Sequence, residues 1–315
     1  MRIGIGTATF FQTTFAGRDP AGLIDAIAFA VDQGVSHIDT APLYGFGLAD
    51  ELLKSVVAGR RQALTLATKC GFNHSLERGY FFDSSRPYMR DAVLGTLQRI
   101  GTEYLDYALV SYPGYVPREQ LMEGWSALQE MQQAGLVREI GLCNCTPAHI
   151  EAVSSICPPA LVQVGYSLIA QENEPLFDYC AAQGIRVTTH GPRFYGVLVD
   201  TFTRDFVEEL APGDCRRGTP CYVEPRLSRN ITIVECLRDV GARHGCAAAA
   251  IALAWVLHNA KVDVAYMGAS TRAQVTASLA AAHVVLSPQD ISDLQAAVGR
   301  EKSSLWPPAP NETKF

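Results

Sequence analysis

Two rhythms of apolar residues alternate along this chain from one end to the other. Short continuous apolar runs, the mark of strands buried on both faces, fall at residues 3–9, 37–40, 64–69, 105–111, 139–143, 160–166, 186–190 and 262–267. Between them, apolar residues recur every three or four positions, which predicts helices over 21–32, 49–57, 86–99, 118–134, 147–155, 174–182 and 272–282. A longer helical stretch at 230–258 is expected to break near Gly245, and a last helix at 288–298 follows the eighth unit. Pro and Gly punctuate the pattern as helix starts and stops should be punctuated: Asp19-Pro20 opens the first helix, and Gly34, Gly101, Gly135 and Gly184 close others.

Eight strand–helix units with short connections predict an α/β fold, a (β/α)8 TIM barrel forming one domain over 1–315. The competitor is a doubly wound parallel sheet, but no G-x-G-x-x-G joins a first strand to a first helix. "GIGTATF" supplies only half of it, and its glycines more simply serve close packing. One long loop, 194–229, is rich in Gly, Pro, Arg and aromatic residues; in a barrel it lies over the ligand-binding mouth. A C-terminal helix and tail occupy 288–315.

Composition narrows the function. The 315 residues are 48% hydrophobic, enough for a large core, and carry a formal charge of -6 with no Lys/Arg cluster. That leaves no electrostatic footprint for nucleic acid, and no apolar run reaches membrane-spanning length. Small molecules are therefore the expected partners, and oligomeric state stays open. The start "MRIGIG" reads directly as a strand, not a secretory signal, and nine scattered cysteines suit reduced, buried thiols, so a cytoplasmic location is expected. No cysteine or histidine spacing suits zinc, and no metal is expected.

Chemistry in such a barrel gathers where strands end. "HIDTAPLYGFG" places Asp39 at the end of the second strand and Tyr44 five residues on; "LTLATK" places Lys69 at the end of the third. A buried ammonium needs a partner, which the neighbouring Asp39 supplies, and a phenol beside that ammonium should have its phenolate favoured. Asp39, Tyr44 and Lys69 thus read as an acid/base unit.

"GVSHIDTAPLYGFG", "LATKCGF", "TLQRIGTEYLDYALVSYPG", "AGLVREIGLCN", "LVQVGYS" and "YMGASTRAQVTASL" resemble, in this order, the aldo-keto reductases over nearly the whole chain. The resemblance implies that Tyr44 protonates a substrate oxygen, tuned by Lys69 and Asp39, while NADPH, or alternatively NADH, lies extended over the mouth and delivers hydride. It also marks departures. Ser111 stands where the family's strand-four histidine is expected; Cys143 and Asn144 replace a Ser-Asn pair at the nicotinamide carboxamide, with Gln163 retained; His190 takes the place of a stacking tyrosine. Further along, Gly191 and Arg193 follow strand seven, and Gly268, Ser270, Thr271, Arg272 and Gln274 after strand eight offer a cradle for a 2′-phosphate, with Ser278 facing the same way.

His190 and, more weakly, His74 are the histidines that could replace the missing one. Phe202, Phe206, Cys221 and Tyr222 with Arg216 and Arg217 point to a substrate site mixing aromatic and anionic recognition. The tail with Trp306 either covers the mouth or trails into solvent. Three functions follow: reduction of a carbonyl or conjugated C=C; a non-redox proton transfer such as dehydration, isomerisation or cyclisation; and a cofactor-bound sensor or regulatory subunit without turnover, as potassium-channel β subunits are.

Overall fold

The computed structural model describes residues 1–10, 19–75, 77 and 79–299. Eight parallel strands close a barrel in chain order: β1 (Ile3–Gly6), β2 (His37–Asp39), β3 (Thr65–Cys70), β4 (Leu105–Ser111), β5 (Val137–Cys143), β6 (Leu161–Gly165), β7 (Arg186–His190) and β8 (Val264–Gly268). β8 pairs back onto β1, with Gly268 opposite Gly6. The fold is the (β/α)8 barrel, each expected strand having formed.

Strand one stops at Gly6, short of the expected Thr9, because Phe10 N–H bonds back to Thr7 O and winds residues 8–10 into a 3-10 turn. The glycines of β1 do serve packing: a Cβ at Gly4 would stand 2.5 Å from the Tyr266 ring. Thr7, just past the end of β1, is structural. Its hydroxyl donates to Thr40 Oγ1 (2.9 Å), which donates to buried Asp50 (2.8 Å).

The outer ring comprises α1 (Pro20–Asp32), α2 (Leu48–Val57), α3 (Arg86–Ile100), α4 (Arg118–Gln133), α5 (Pro147–Ser154), α6 (Glu174–Ala182), α7 (Arg204–Glu208), α8 (Arg226–His244), α9 (Ala248–His258), α10 (Arg272–Leu279) and α11 (Pro288–Val298). Asp19 caps α1 by accepting the Ala21 and Gly22 N–H groups. The break near Gly245 is real: at φ 64° it ends α8, and α9 leaves at 89° to it. No single helix among the described residues is long and apolar enough to cross a membrane.

Two parts of the mouth differ from expectation. After β3 the chain forms an antiparallel hairpin, Phe72–Ser75 with Gly79–Phe82, where only a loop was expected. Within 194–229 lie α7, three 3-10 turns and the start of α8, so the span is a folded wall. Tyr222 donates to Tyr195 O (2.9 Å) and Asn230 to Cys221 O (2.9 Å), tying the wall together. The expected tail with Trp306 lies outside the described residues.

Candidate active site

The β2–β3 register sets Asp39 opposite Ala67, which places Lys69 one pleat further along the same face. Its ammonium turns back and donates to both Asp39 oxygens (2.6 and 2.5 Å) and to Thr40 O (3.0 Å). Both side chains are buried. Burial alone would discharge Lys69, but the adjacent carboxylate outweighs it and holds the ammonium above its ordinary range. Gln163, across the barrel on β6, donates to Asp39 Oδ1 (3.0 Å).

Tyr44 starts a tight turn, Tyr44–Gly47, in which Gly45, Phe46 and Gly47 all take positive φ. Lys69 hydrogen-bonds it, with Nζ 5.2 Å from the ring centroid. The expected fall in its pKa does not occur. Burial dominates and pushes the phenol up to about 12, with Lys69 offsetting only part of the rise. At neutral pH Tyr44 is a protonated phenol, a donor in waiting.

Further round the rim, the ladder aligns Ser111 with Cys143, Cys143 with Gln163, and Gly165 with His190. Ser111 hydrogen-bonds Cys143, whose thiol is pushed up to about 12 by burial and contacts Gln163 Oε1 at 3.6 Å. Gln163 thus turns both ends of its amide into the barrel wall. Asn144 sits at φ 55°, a conformation uncommon outside glycine, and its Oδ1 is 3.0 Å from His190 Nε2. Burial, then the Lys69 charge, lowers His190 to about 3. Burial thus disfavours the charged imidazole that a replacement acid at His190 would need. His74 is on the hairpin, its ring packed against Phe46 and Tyr80 (4.9 and 4.8 Å).

At the β8 end, Thr271 caps α10 by accepting Gln274 N–H (3.2 Å), and Gln274 Oε1 accepts Ser270 N–H (2.8 Å). Two of the residues expected to form a cradle here are turned elsewhere. Arg272 pairs with Asp25 of α1, and Ser278 is buried, donating to Gln274 O (2.8 Å) instead of facing outward. Arg193 approaches this end: its guanidinium is 4.0 Å from where a Gly268 Cβ would be, and Thr9 is 3.4 Å from the same point.

One cavity of about 500 Å³ joins these groups. Asp39, Tyr44, Lys69 and Ser111 line one part; Cys143, Asn144, Gln163, His190, Gly191 and Arg193 continue it; Gly268, Ser270 and Gln274 finish it, while Thr271 and Arg272 do not face it. Leu43, Phe72, Tyr112, Tyr195, Val199 and Phe206 supply an apolar and aromatic wall. Phe72 comes from the unexpected hairpin, where it pairs with Phe82. Tyr112, held at φ 55°, meets Phe72 and Phe82 edge-on.

Anionic recognition by Arg216 and Arg217 does not fit this geometry. Arg216 lines the cavity but is paired through two nitrogens with Asp214 (2.9 and 2.6 Å), and Arg217 donates to the Leu210 and Glu208 carbonyls. Phe202, Cys221 and Tyr222 are core residues.

A family model described as the aldo/keto reductase family matches residues 2–298. The chain belongs to the aldo/keto reductase family. It is 28% identical over 298 residues to the aldo-keto reductase YhdN of Bacillus subtilis, covering 93% of this chain and 88% of that protein. An NADH-specific methylglyoxal reductase of Escherichia coli is 30% identical over 280 residues, 85% of this chain and 84% of that one. Among solved structures, a glycerol dehydrogenase from Gluconobacter oxydans superposes with a TM-score of 0.83 at 24% identity, covering 100% of this chain and 94% of its own. An aldo-keto reductase from Bacillus halodurans in its holo form superposes at 0.72 and 22% identity, covering 94% and 91%. The aldo/keto reductase barrel is thus shared with these structures, and membership makes this chain an oxidoreductase of that family.

Proposed function

We propose that this protein reduces a carbonyl, or a C=C conjugated to one, of a small molecule with a nicotinamide nucleotide, and that Tyr44 is the general acid. The observation that carries this is Tyr44 itself: a protonated phenol beside the buried Lys69–Asp39 pair, on a cavity that continues to the β8 loop. The cavity fits such a nucleotide in its donors. Asn144 Oδ1 is engaged by His190, which leaves its amide NH2 as the donor for a carboxamide, and Arg193 lines the cavity beside Gly268 as a cation for a diphosphate. NADPH or NADH, when bound, supplies hydride to the substrate carbon. Tyr44 gives its proton to the substrate oxygen, and the Lys69 ammonium stabilises the phenolate left behind. Ser111 offers that oxygen one further hydrogen bond. The relative named as a methylglyoxal reductase supports carbonyl reduction, while the apolar wall favours a bulkier, uncharged substrate.

A non-redox proton transfer on the same trio is the second reading. It is favoured by Gln163, whose amide is engaged by Asp39 and Cys143 and not turned to a carboxamide. Fluorescence titration with NADPH and NADH, then loss of reduced-nucleotide absorbance over a panel of neutral aldehydes, ketones and enones, tests both. Binding with turnover is expected, and Tyr44→Phe should lower kcat by about 10²–10⁴ while leaving nucleotide Kd unchanged. A protein that binds neither nucleotide overturns the proposal; tight binding without turnover on any of the panel points to a regulatory barrel.

A further inference from the structure

We propose that Asp25, on α1, sets the nucleotide preference by holding Arg272 away from the cavity, so that NADH is bound in preference to NADPH. This builds on the nicotinamide-nucleotide reading of the cavity given above. Arg272 Nε donates to Asp25 Oδ2 (2.7 Å) and a terminal nitrogen donates to Oδ1 (2.5 Å), a fork-to-fork pair that satisfies one edge of the guanidinium. Its central carbon lies 5.3 Å from the Phe29 ring, also on α1. Both contacts pull the side chain toward α1. Its sequence neighbours Ser270 and Gln274 line the cavity, and Arg272 does not.

Apart from Arg193, no cation lines this end of the cavity among the described residues. The Ser270 N–H, which could hold a phosphate oxygen, is taken by Gln274 Oε1. Asp32 adds a second carboxylate that acts on Arg272 from α1. A 2′-phosphate needs a free cation and N–H donors, whereas an unphosphorylated ribose diol donates its hydroxyls to carboxylate or amide oxygens. Gln274, which lines the cavity, supplies that second kind of partner. Arg193, which lines the cavity beside Gly268, suits the diphosphate common to both nucleotides. The recognition of the shared part is cationic and that of the distinguishing part is not.

The Arg272 and Asp25 side chains are 61% and 47% exposed, so the pair contributes little to folding and its removal leaves the barrel intact. The experiment measures Kd for NADH and NADPH by fluorescence titration in the wild type, Asp25→Asn, Arg272→Ala and the double variant, with thermal melts as controls. The wild type should bind NADH at least about tenfold more tightly, and Asp25→Asn should tighten NADPH by about tenfold, the value of one charge-assisted contact. Arg272→Ala should abolish that gain in the Asp25→Asn background, and the gain itself should fade with added salt. Equal or tighter binding of NADPH by the wild type, or an unchanged ratio in Asp25→Asn, overturns the role of Asp25 alone. Failure of both nucleotides to bind overturns the nicotinamide reading beneath it.

Discussion

At the scale of single residues, the competition at Tyr44 between burial and a neighbouring cation decides which way a proton moves. With the phenol held near 12 by burial, Tyr44 is protonated at neutral pH, and in the proposed reaction Lys69 would act on the phenolate once it forms. The pairing of Asp39 with Lys69 was legible in the sequence because two adjacent strands ended in opposite charges. The sign of the Tyr44 shift was not, since the depth of burial is set by residues distant in sequence. Nor was the partner of Gln163, an aspartate 124 positions away. Ser111 is the residue on which the reaction type turns: its hydroxyl supplies one hydrogen bond where an imidazole would both bond and carry charge. Ser111→His should raise kcat/KM for simple aldehydes by about tenfold or more, and an unchanged value would show that the serine does not limit carbonyl chemistry.

At the scale of elements, the helices were readable because their capping residues are local, as at Asp19 and Gly245. The Phe72–Phe82 hairpin was hidden because its strands are four residues each and follow β3 without a change in composition. One contact between elements carries a pH signature. Asp290, in the first turn of α11, is buried, a cost outweighed by hydrogen bonds from His244, Ser287 N–H and Arg243, two of them reaching over from α8. Its carboxyl is held well below the ordinary range. The stability it brings is therefore fully present above the unfolded-state value of about 3.9 and is lost as pH falls further. Asp290→Asn should cost about 1–3 kcal/mol at neutral pH by leaving α8 donors poorly matched. Urea unfolding of the variant should also fall less steeply than the wild type between about pH 4 and pH 2.

At the scale of the whole molecule, eight evenly spaced apolar runs were sufficient to name the barrel, and the barrel law that chemistry collects at strand ends found Asp39, Lys69, Ser111 and His190. What it left out was part of the wall above the rim, since Phe72 stands on the hairpin after β3 and Tyr195, at φ 57°, on a turn whose backbone is set by tertiary contacts. A nucleotide spanning β2 to β8 would bind only the closed barrel. At a hundredfold excess over Kd it should stabilise the protein by about 2.7 kcal/mol, read as a rise in melting temperature, with amide protection concentrated in the β7 and β8 loops.

Closure of β1 on β8 also has a consequence for how the protein is made. Arg2 donates to the carbonyls of Leu257, Asn259 and Val262, so the strand that opens the barrel is secured by residues 255 to 260 positions further along the chain. At ordinary elongation rates that leaves roughly 10–50 s in which β1 has no eighth strand to pair with. Lys69 and Asp39 are both synthesised early in that interval, yet Gln163, the third member of their network, arrives only after half the chain. The Lys69–Asp39 pair beside Tyr44 is thus translated well before the strand that closes the barrel around it.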